Sequence, residues 1–299
     1  MSASRPVAPL AGVAFALLAV ASFAVLDTAT KIASITIPVM MALWFRYAFQ
    51  AVATTAVVVP KLGRAAWRTQ HPRFQLLRGV LLMATSIFAY FSLKFMPVGE
   101  FTAIVMIVPL VVTLLAATSL GERVSPLRWL LVAGGFVGAM VIIRPGGEGF
   151  SWALLLPLGL VITNSWFQVL TSRLARTEQP LTTHLYTGWV GTLLASLVLP
   201  FVWITPSTTT EWISLFLMGL MGTVGHFLLI LAYGRAPAST ITPYLYGQIA
   251  FAMLAGWIVF SHLPDQLSLI GIALIAVCGT LGAWLSVRES RIVAQPAEG

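Results

Sequence analysis

The chain is 299 residues long, 59% hydrophobic and only 9% charged, a mix foreign to water-soluble domains. Its formal net charge of +8 would suit nucleic acid, but the basic residues lie in short turns between apolar runs. That placement excludes nucleic acid and points to a lipid bilayer. A β-barrel is excluded as well, because no alternating segments of about ten residues occur.

In chain order the apolar runs predict ten transmembrane helices, at 9–33, 39–60, 74–95, 98–120, 127–143, 152–173, 181–204, 212–233, 238–260 and 267–287. Each approaches the length of about 20 residues that crosses a hydrocarbon core. The first run follows Arg5 and contains Ala19-Val20-Ala21, which resembles a signal peptide. It is too long for a signal's apolar region and precedes nine more runs, so it is read as a retained span. Cut near residue 148, the chain divides into 1–148 and 149–290 with five spans each, and 291–299 is a tail. Five is odd, so the second half must thread inverted relative to the first. Inverted repeats hold a substrate between them near the bilayer midplane.

With the N-terminus inside, thirteen of the seventeen Lys and Arg residues are cytoplasmic. Lys31, Lys94 and Arg144 lie outside, and Arg46 lies within a span. The asymmetry puts both termini in the cytoplasm, with the loop from Lys61 to Arg78 anchored on acidic headgroups. The single Cys278 has no internal disulfide partner.

Polar residues at membrane depth face a cavity or a partner helix, and helical spacing selects the face. Asp27 and Lys31 stand one turn apart near the outer end of span one. Arg46, Gln50 and Thr54 form one row on span two, and Gly79, Met83, Ser86 and Tyr90 one on span three. Span four offers Thr102, Met106, Pro109 and Thr113, and span six Asn164, Phe167, Gln168 and Thr171. Span eight carries His226 on a glycine-rich row, and span nine Thr240, Tyr244, Gln248 and Phe251. Trp166 and Tyr246 fall on opposite faces of their helices and are set aside. Pro109 and Pro243 are expected bending points, with Pro157 acting similarly.

Gln50 and Asn164 lie about 18 Å from the outer ends of their spans, and Gln248 about 15 Å from an inner end. The three amides share one depth, where they serve either as interhelical bonds or, as we read them, as a ring around a polar solute. Asp27, Lys31 and Arg46 read as a static ion pair or as an outer gate, with Arg46 alternatively binding a substrate carboxylate. His226 reads as hydrogen-bonded packing or as a proton relay. His71, His184 and His262 are expected to be solvated.

The halves echo one another: Ala89-Tyr90 before Met96-Pro97 parallels Ala232-Tyr233 before Ala236-Pro237. Gly134, Gly135 and Gly138 parallel Gly271, Gly279 and Gly282. The runs Phe95-Met-Pro-Val98, Ile107-Val-Pro-Leu110 and Gly121-Glu-Arg-Val-Ser-Pro126, with Asp27-Thr-Ala-Thr-Lys31 and Trp44-Phe-Arg-Tyr47, resemble the EamA-type repeat of the drug/metabolite transporter superfamily. The second copy departs from it, with Ser261-His-Leu-Pro-Asp265 in place of a second Gly-Glu. The resemblance implies an all-α bundle of ten helices around a central cavity, with spans five and ten at the periphery. It also implies a bacterial inner-membrane carrier.

No nucleotide-binding loop or metal-ligand cluster appears, so neither a cofactor nor enzymatic activity is expected. The expected function is secondary transport by alternating access, with a small-molecule substrate and the bilayer as partners and the chain acting as a monomer. Tyr90, Met106, Phe167, Tyr244 and Phe251, with Gln50, Asn164, Gln168 and Gln248, form the expected substrate site. Little fixed charge and several rings suit a roughly neutral solute with an apolar part. Amino acids with large side chains, moved outward, are the first reading, and riboflavin- or S-adenosylmethionine-type metabolites the second.

Overall fold

A computed structural model describes residues 9–119, 126–145, 150–174, 177–233, 235 and 244–294. Among these no strand occurs. The helices are α1 (Pro9–Ala33), α2 (Val39–Leu62), α3 (Pro72–Phe95), α4 (Val98–Val105), α5 (Val108–Ser119) and α6 (Pro126–Ile143) in the first half. In the second they are α7 (Leu156–Leu174), α8 (Pro180–Val202), α9 (Thr209–Tyr233), α10 (Gly247–Phe260) and α11 (Gln266–Ala294). Short 3-10 turns at Gly63–Trp67 and Trp152–Leu155 lead towards α3 and α7. Among the described residues seven helices are long and apolar enough to cross a membrane, and three shorter apolar stretches cover Val98–Val112, Trp129–Ile143 and Gly247–Phe260.

Proline sets several of these boundaries. Pro38 and Pro97 precede α2 and α4 in extended conformation, and Pro72 and Pro180 open α3 and α8, where a missing N–H costs nothing. Pro157 is the second residue of α7, so it starts that helix rather than bending it. Pro109 does interrupt its span, because it has no N–H for the carbonyl four residues upstream. The ladder tightens there: Ile107 N bonds Ile104 O at 3.1 Å and Leu110 N bonds Ile107 O at 3.0 Å. That break separates α4 from α5. Pro243 and Thr240, like the Gly121–Val124 part of the repeat motif, lie outside the described residues.

Each helix finds its main partner in the other half. Helix α1 packs on α9, α2 on α8, α3 on α7, α4 on α10 and α6 on α11. Exchange the helices of the first half in order for those of the second, counting α4 and α5 together, and this pattern maps onto itself. The α1–α9 contact becomes α7–α3, α1–α10 becomes α7–α4/α5, and α2–α9 becomes α8–α3. The pairs α2–α8, α4–α10 and α6–α11 map onto themselves.

Two self-mapped crossings depend on missing side chains. A Cβ on Gly138 of α6 would meet the Gly271 carbonyl at 2.8 Å, and one on Gly271 of α11 would meet the Gly138 carbonyl at 2.7 Å. On α8, a Cβ on Gly188 would meet the Ala51 backbone nitrogen of α2 at 2.9 Å. Such approach lets backbones touch where lipid gives no hydrophobic drive to association. The glycines of α6 and α11 therefore meet within the chain.

Gly138→Val is expected to destabilise the detergent-solubilised protein by about 1–3 kcal/mol, as overpacking does. A drop in melting temperature, followed by fluorescence-detected gel filtration, is the readout. An unchanged melting temperature would show that α6 and α11 do not meet there.

Candidate functional site

Helix α7 exposes two separate strips. Ile162, Trp166 and Arg173 lie on one, and Gln168, with half-buried Asn164 beside it, on the other. Buried Val161, Ser165 and Val169 separate them on one side, and buried Leu160 and Phe167 on the other. These buried faces are those with which α7 packs on α3, α4 and α5. Ile162 and Trp166 suit lipid, whereas a polar strip at membrane depth suits a protected interior, the direction expected for Asn164 and Gln168. Gln168 Nε2 donates to Asn164 Oδ1 at 3.2 Å.

The three amides do not form a ring. Gln50 is buried, and its Nε2 lies 3.3 Å from both His184 Nδ1 and the His184 carbonyl, joining α2 to α8. Gln248 reaches α1, donating from Nε2 to Asp27 Oδ2 at 3.2 Å. Asn164 is held within its own helix. Equal depth along helix axes did not produce contact because the three helices pack against different partners.

The expected Asp27–Lys31–Arg46 pairing is not made either. Lys31 Nζ donates to the carbonyls of Leu93 and Met96, each at 2.8 Å. Those carbonyls end α3, where oxygens lack helical partners and a cation is favoured. Arg46 Nη1 donates to Ser86 Oγ at 2.9 Å, its guanidinium lies 5.4 Å from the Tyr47 ring centroid, and its Nε is buried without a partner. Asp27 stays within electrostatic reach of Arg46 but outside ion-pair distance.

Several residues expected around the substrate are committed elsewhere. The Tyr90 hydroxyl donates to the Ile37 carbonyl and lies 3.3 Å from that of Ala33, pinning the α1–α2 turn. Phe167 is buried beneath Arg78, whose guanidinium carbon stands 4.5 Å from the ring centroid. Met106 is buried at the α4–α5 break. Tyr244 and Phe251 are exposed on the same side of α10 as Leu254 and Ile258, an apolar strip suited to lipid, while Gln248 sits on the buried face. Tyr246, on the opposite face, packs against Gly279 of α11. His226 rests edge-on against Phe23 at 5.0 Å and 6.4 Å from the His184 ring.

Four further polar residues emerge only in three dimensions. Arg78, assigned above to the lipid-anchoring loop, is buried. It donates from Nε to Thr171 Oγ1 at 2.6 Å and from Nη1 to the Thr183 carbonyl at 3.1 Å and to Thr187 Oγ1. Its position one and a half turns into α3 was the available signal. His184, expected in solvent, is buried on α8. Glu100 is buried in α4 and lies 3.0 Å from His262 Nε2, so His262 also has a partner. Ser261 takes φ 51° at the end of α10, and the following His262 amide bonds the Gly256 carbonyl at 3.2 Å. This left-handed cap turns His262 towards α4, where the repeat pattern would have Gly-Glu. Nearby, Arg144 Nη2 bonds Asp265 Oδ1 at 2.5 Å and holds that carboxyl well below the usual carboxylate range.

Comparison with known proteins fits this arrangement. The family described as "EamA-like transporter family" matches residues 10–144 and again 151–285, one match for each half of the packing pattern. The chain belongs to the EamA-like transporter family. It is therefore a transporter, within the drug/metabolite transporter superfamily, and a multi-pass bacterial membrane protein. A riboflavin transporter of Rhizobium johnstonii is 34% identical over 272 residues, covering 89% of this chain and 86% of the relative. An S-adenosylmethionine uptake transporter of Rickettsia conorii is 26% identical over 266 residues, covering 89% and 90%. A crystal structure 20% identical in sequence superposes with a TM-score of 0.65, covering 95% of this chain and all of the other, which establishes the shared fold.

In a Cys278→Ser background, Asn164→Cys and Gln168→Cys of this EamA-like chain are expected to react with a water-soluble maleimide, and Trp166→Cys is not. Labelling in intact membrane vesicles checks this. The reverse pattern would turn α7 by half a revolution.

Proposed function

We propose that this transporter is a secondary carrier of ten spans, arranged as two inverted five-span halves with both termini cytoplasmic. It works by alternating access on a riboflavin- or S-adenosylmethionine-type metabolite. The exchange of packing partners between halves supports the rocking mechanism, since the halves meet along every span and share the interior between them. The cargo reading rests on the two relatives named above, which span most of this chain. Their names favour the second of the two cargo classes over export of large amino acids.

The interior offers matching chemistry. Both named compounds carry a flat nitrogen heterocycle and a polyhydroxylated portion. The Asn164–Gln168 strip and the Asp27–Gln248 pair supply donors and acceptors for hydroxyls and ring edges. Arg46 lies across the same interior and, among the described residues, makes no ion pair with a carboxylate.

Uptake of labelled riboflavin and S-adenosylmethionine into proteoliposomes tests the reading. Saturable transport of one is expected, reduced about tenfold by Asn164→Ala or Gln248→Ala, as loss of one good hydrogen bond implies, and unchanged by Trp166→Ala. Transport of phenylalanine with neither metabolite accepted would restore the amino-acid reading.

A further inference from the structure

The chain holds nine acidic residues, and the described ones are nearly all engaged near the membrane edges. Glu100 lies on His262, and Glu178 accepts from Thr69 and the amides of Gln70 and His71. Glu211 accepts from Thr36 and Asp265 pairs with Arg144. Asp27 is the one left inside the bundle among the described residues, and it already accepts from Gln248. Two arginines stand against it. Arg78 is held by neutral threonine oxygens and a backbone carbonyl, and Arg46 by the neutral Ser86 hydroxyl. A charge removed from water without a counter-charge is costly, so positions of this kind ask for an anion.

Arg46 carries an unmatched donor. Its Nε is buried without a partner and lies close against Gly222 of α9, where an added Cβ would stand only 3.3 Å from it. The glycine thus admits the guanidinium to this position. One turn along α9, His226 lies within electrostatic reach of Arg46, Arg78 and His184. His184 is more than nine-tenths buried, and its Nε2 has no partner. Unmatched donors or acceptors on Arg46 and His184 thus come from α2 and α8, one in each half.

We infer that Arg46, with His226 and His184 nearby, is a subsite for an acidic group, carboxylate or phosphate, on the transported metabolite. The inference rests on the proposed cargo class and narrows it. S-adenosylmethionine carries a carboxylate and riboflavin monophosphate a phosphate, whereas riboflavin itself has neither. Guanidinium is suited to either group because its fork matches two oxygens at once.

The test is equilibrium binding to the purified protein of two matched pairs. These are S-adenosylmethionine with its decarboxylated form, and riboflavin monophosphate with riboflavin. In at least one pair the acid-bearing compound is expected to bind at least tenfold more tightly. The gap should shrink below threefold in Arg46→Gln and be kept in part by Arg46→Lys, which preserves the charge. A gap in the first pair alone assigns a carboxylate, and in the second alone a phosphate. Equal binding within both pairs, or a gap that persists in Arg46→Gln, overturns the subsite while leaving the cargo class standing. If none of the four compounds binds, the cargo class fails, and inorganic phosphate decides the subsite. An Arg46-dependent rise in melting temperature with phosphate supports it, and no rise overturns it.

Discussion

Inside hydrocarbon an apolar side chain gains nothing by leaving lipid for another helix, so close backbone approach and interhelical hydrogen bonds must hold the bundle. This chain meets that constraint by making nearly every approach between halves rather than within them. Gly138 against Gly271, and Gly188 against the Ala51 backbone, are crossings where a single methyl group would force two helices apart. The interior polar groups are placed by these crossings. Gln50 meets His184 because α2 lies tightly on α8, and Asp27 meets Gln248 because α1 runs beside α10.

Among the described residues the interior is ordered by hydrogen bonds rather than ion pairs, with its fixed charges held apart. Lys31 spends its charge on the end of α3, and the Arg144–Asp265 pair stays at the membrane edge. Such an arrangement suits a device that must rearrange. A neutral interhelical hydrogen bond in a membrane averages about 0.6 kcal/mol, so contacts such as Gln50 to His184 exchange at little cost. A buried ion pair broken at each cycle would strand two charges.

How much of this was legible in the sequence follows from which quantity set each feature. Helix type came from run length and composition, which the bilayer dictates. The structure keeps Asn164 and Gln168 on one side of α7 and Trp166 on another, as spacing alone dictates. Spacing along one helix says nothing about which helix lies opposite, so the amide ring and the Asp27–Arg46 contact failed. For Tyr244 and Phe251 periodicity is silent for a related reason: aromatic rings suit lipid as well as a cavity. Arg78 and His184 were hidden by nearness to span ends, where snorkelling to water is the usual outcome. Both lie on α3 and α8, which pack together, and each was drawn inward by a partner on a helix far away in sequence.

The partnering between halves also bears on the order in which the protein is made. Helix α1 emerges well over a hundred residues before its partner α9. At about 5–20 residues per second of synthesis, it waits on the order of ten seconds or more for that surface to exist. During that interval Arg78 sits in the membrane without Thr171, Thr183 and Thr187, and Gln50 without His184. The first half must therefore be tolerated by the insertion machinery as loosely associated spans. Assembly becomes a late, concerted event, triggered when α7 to α9 arrive.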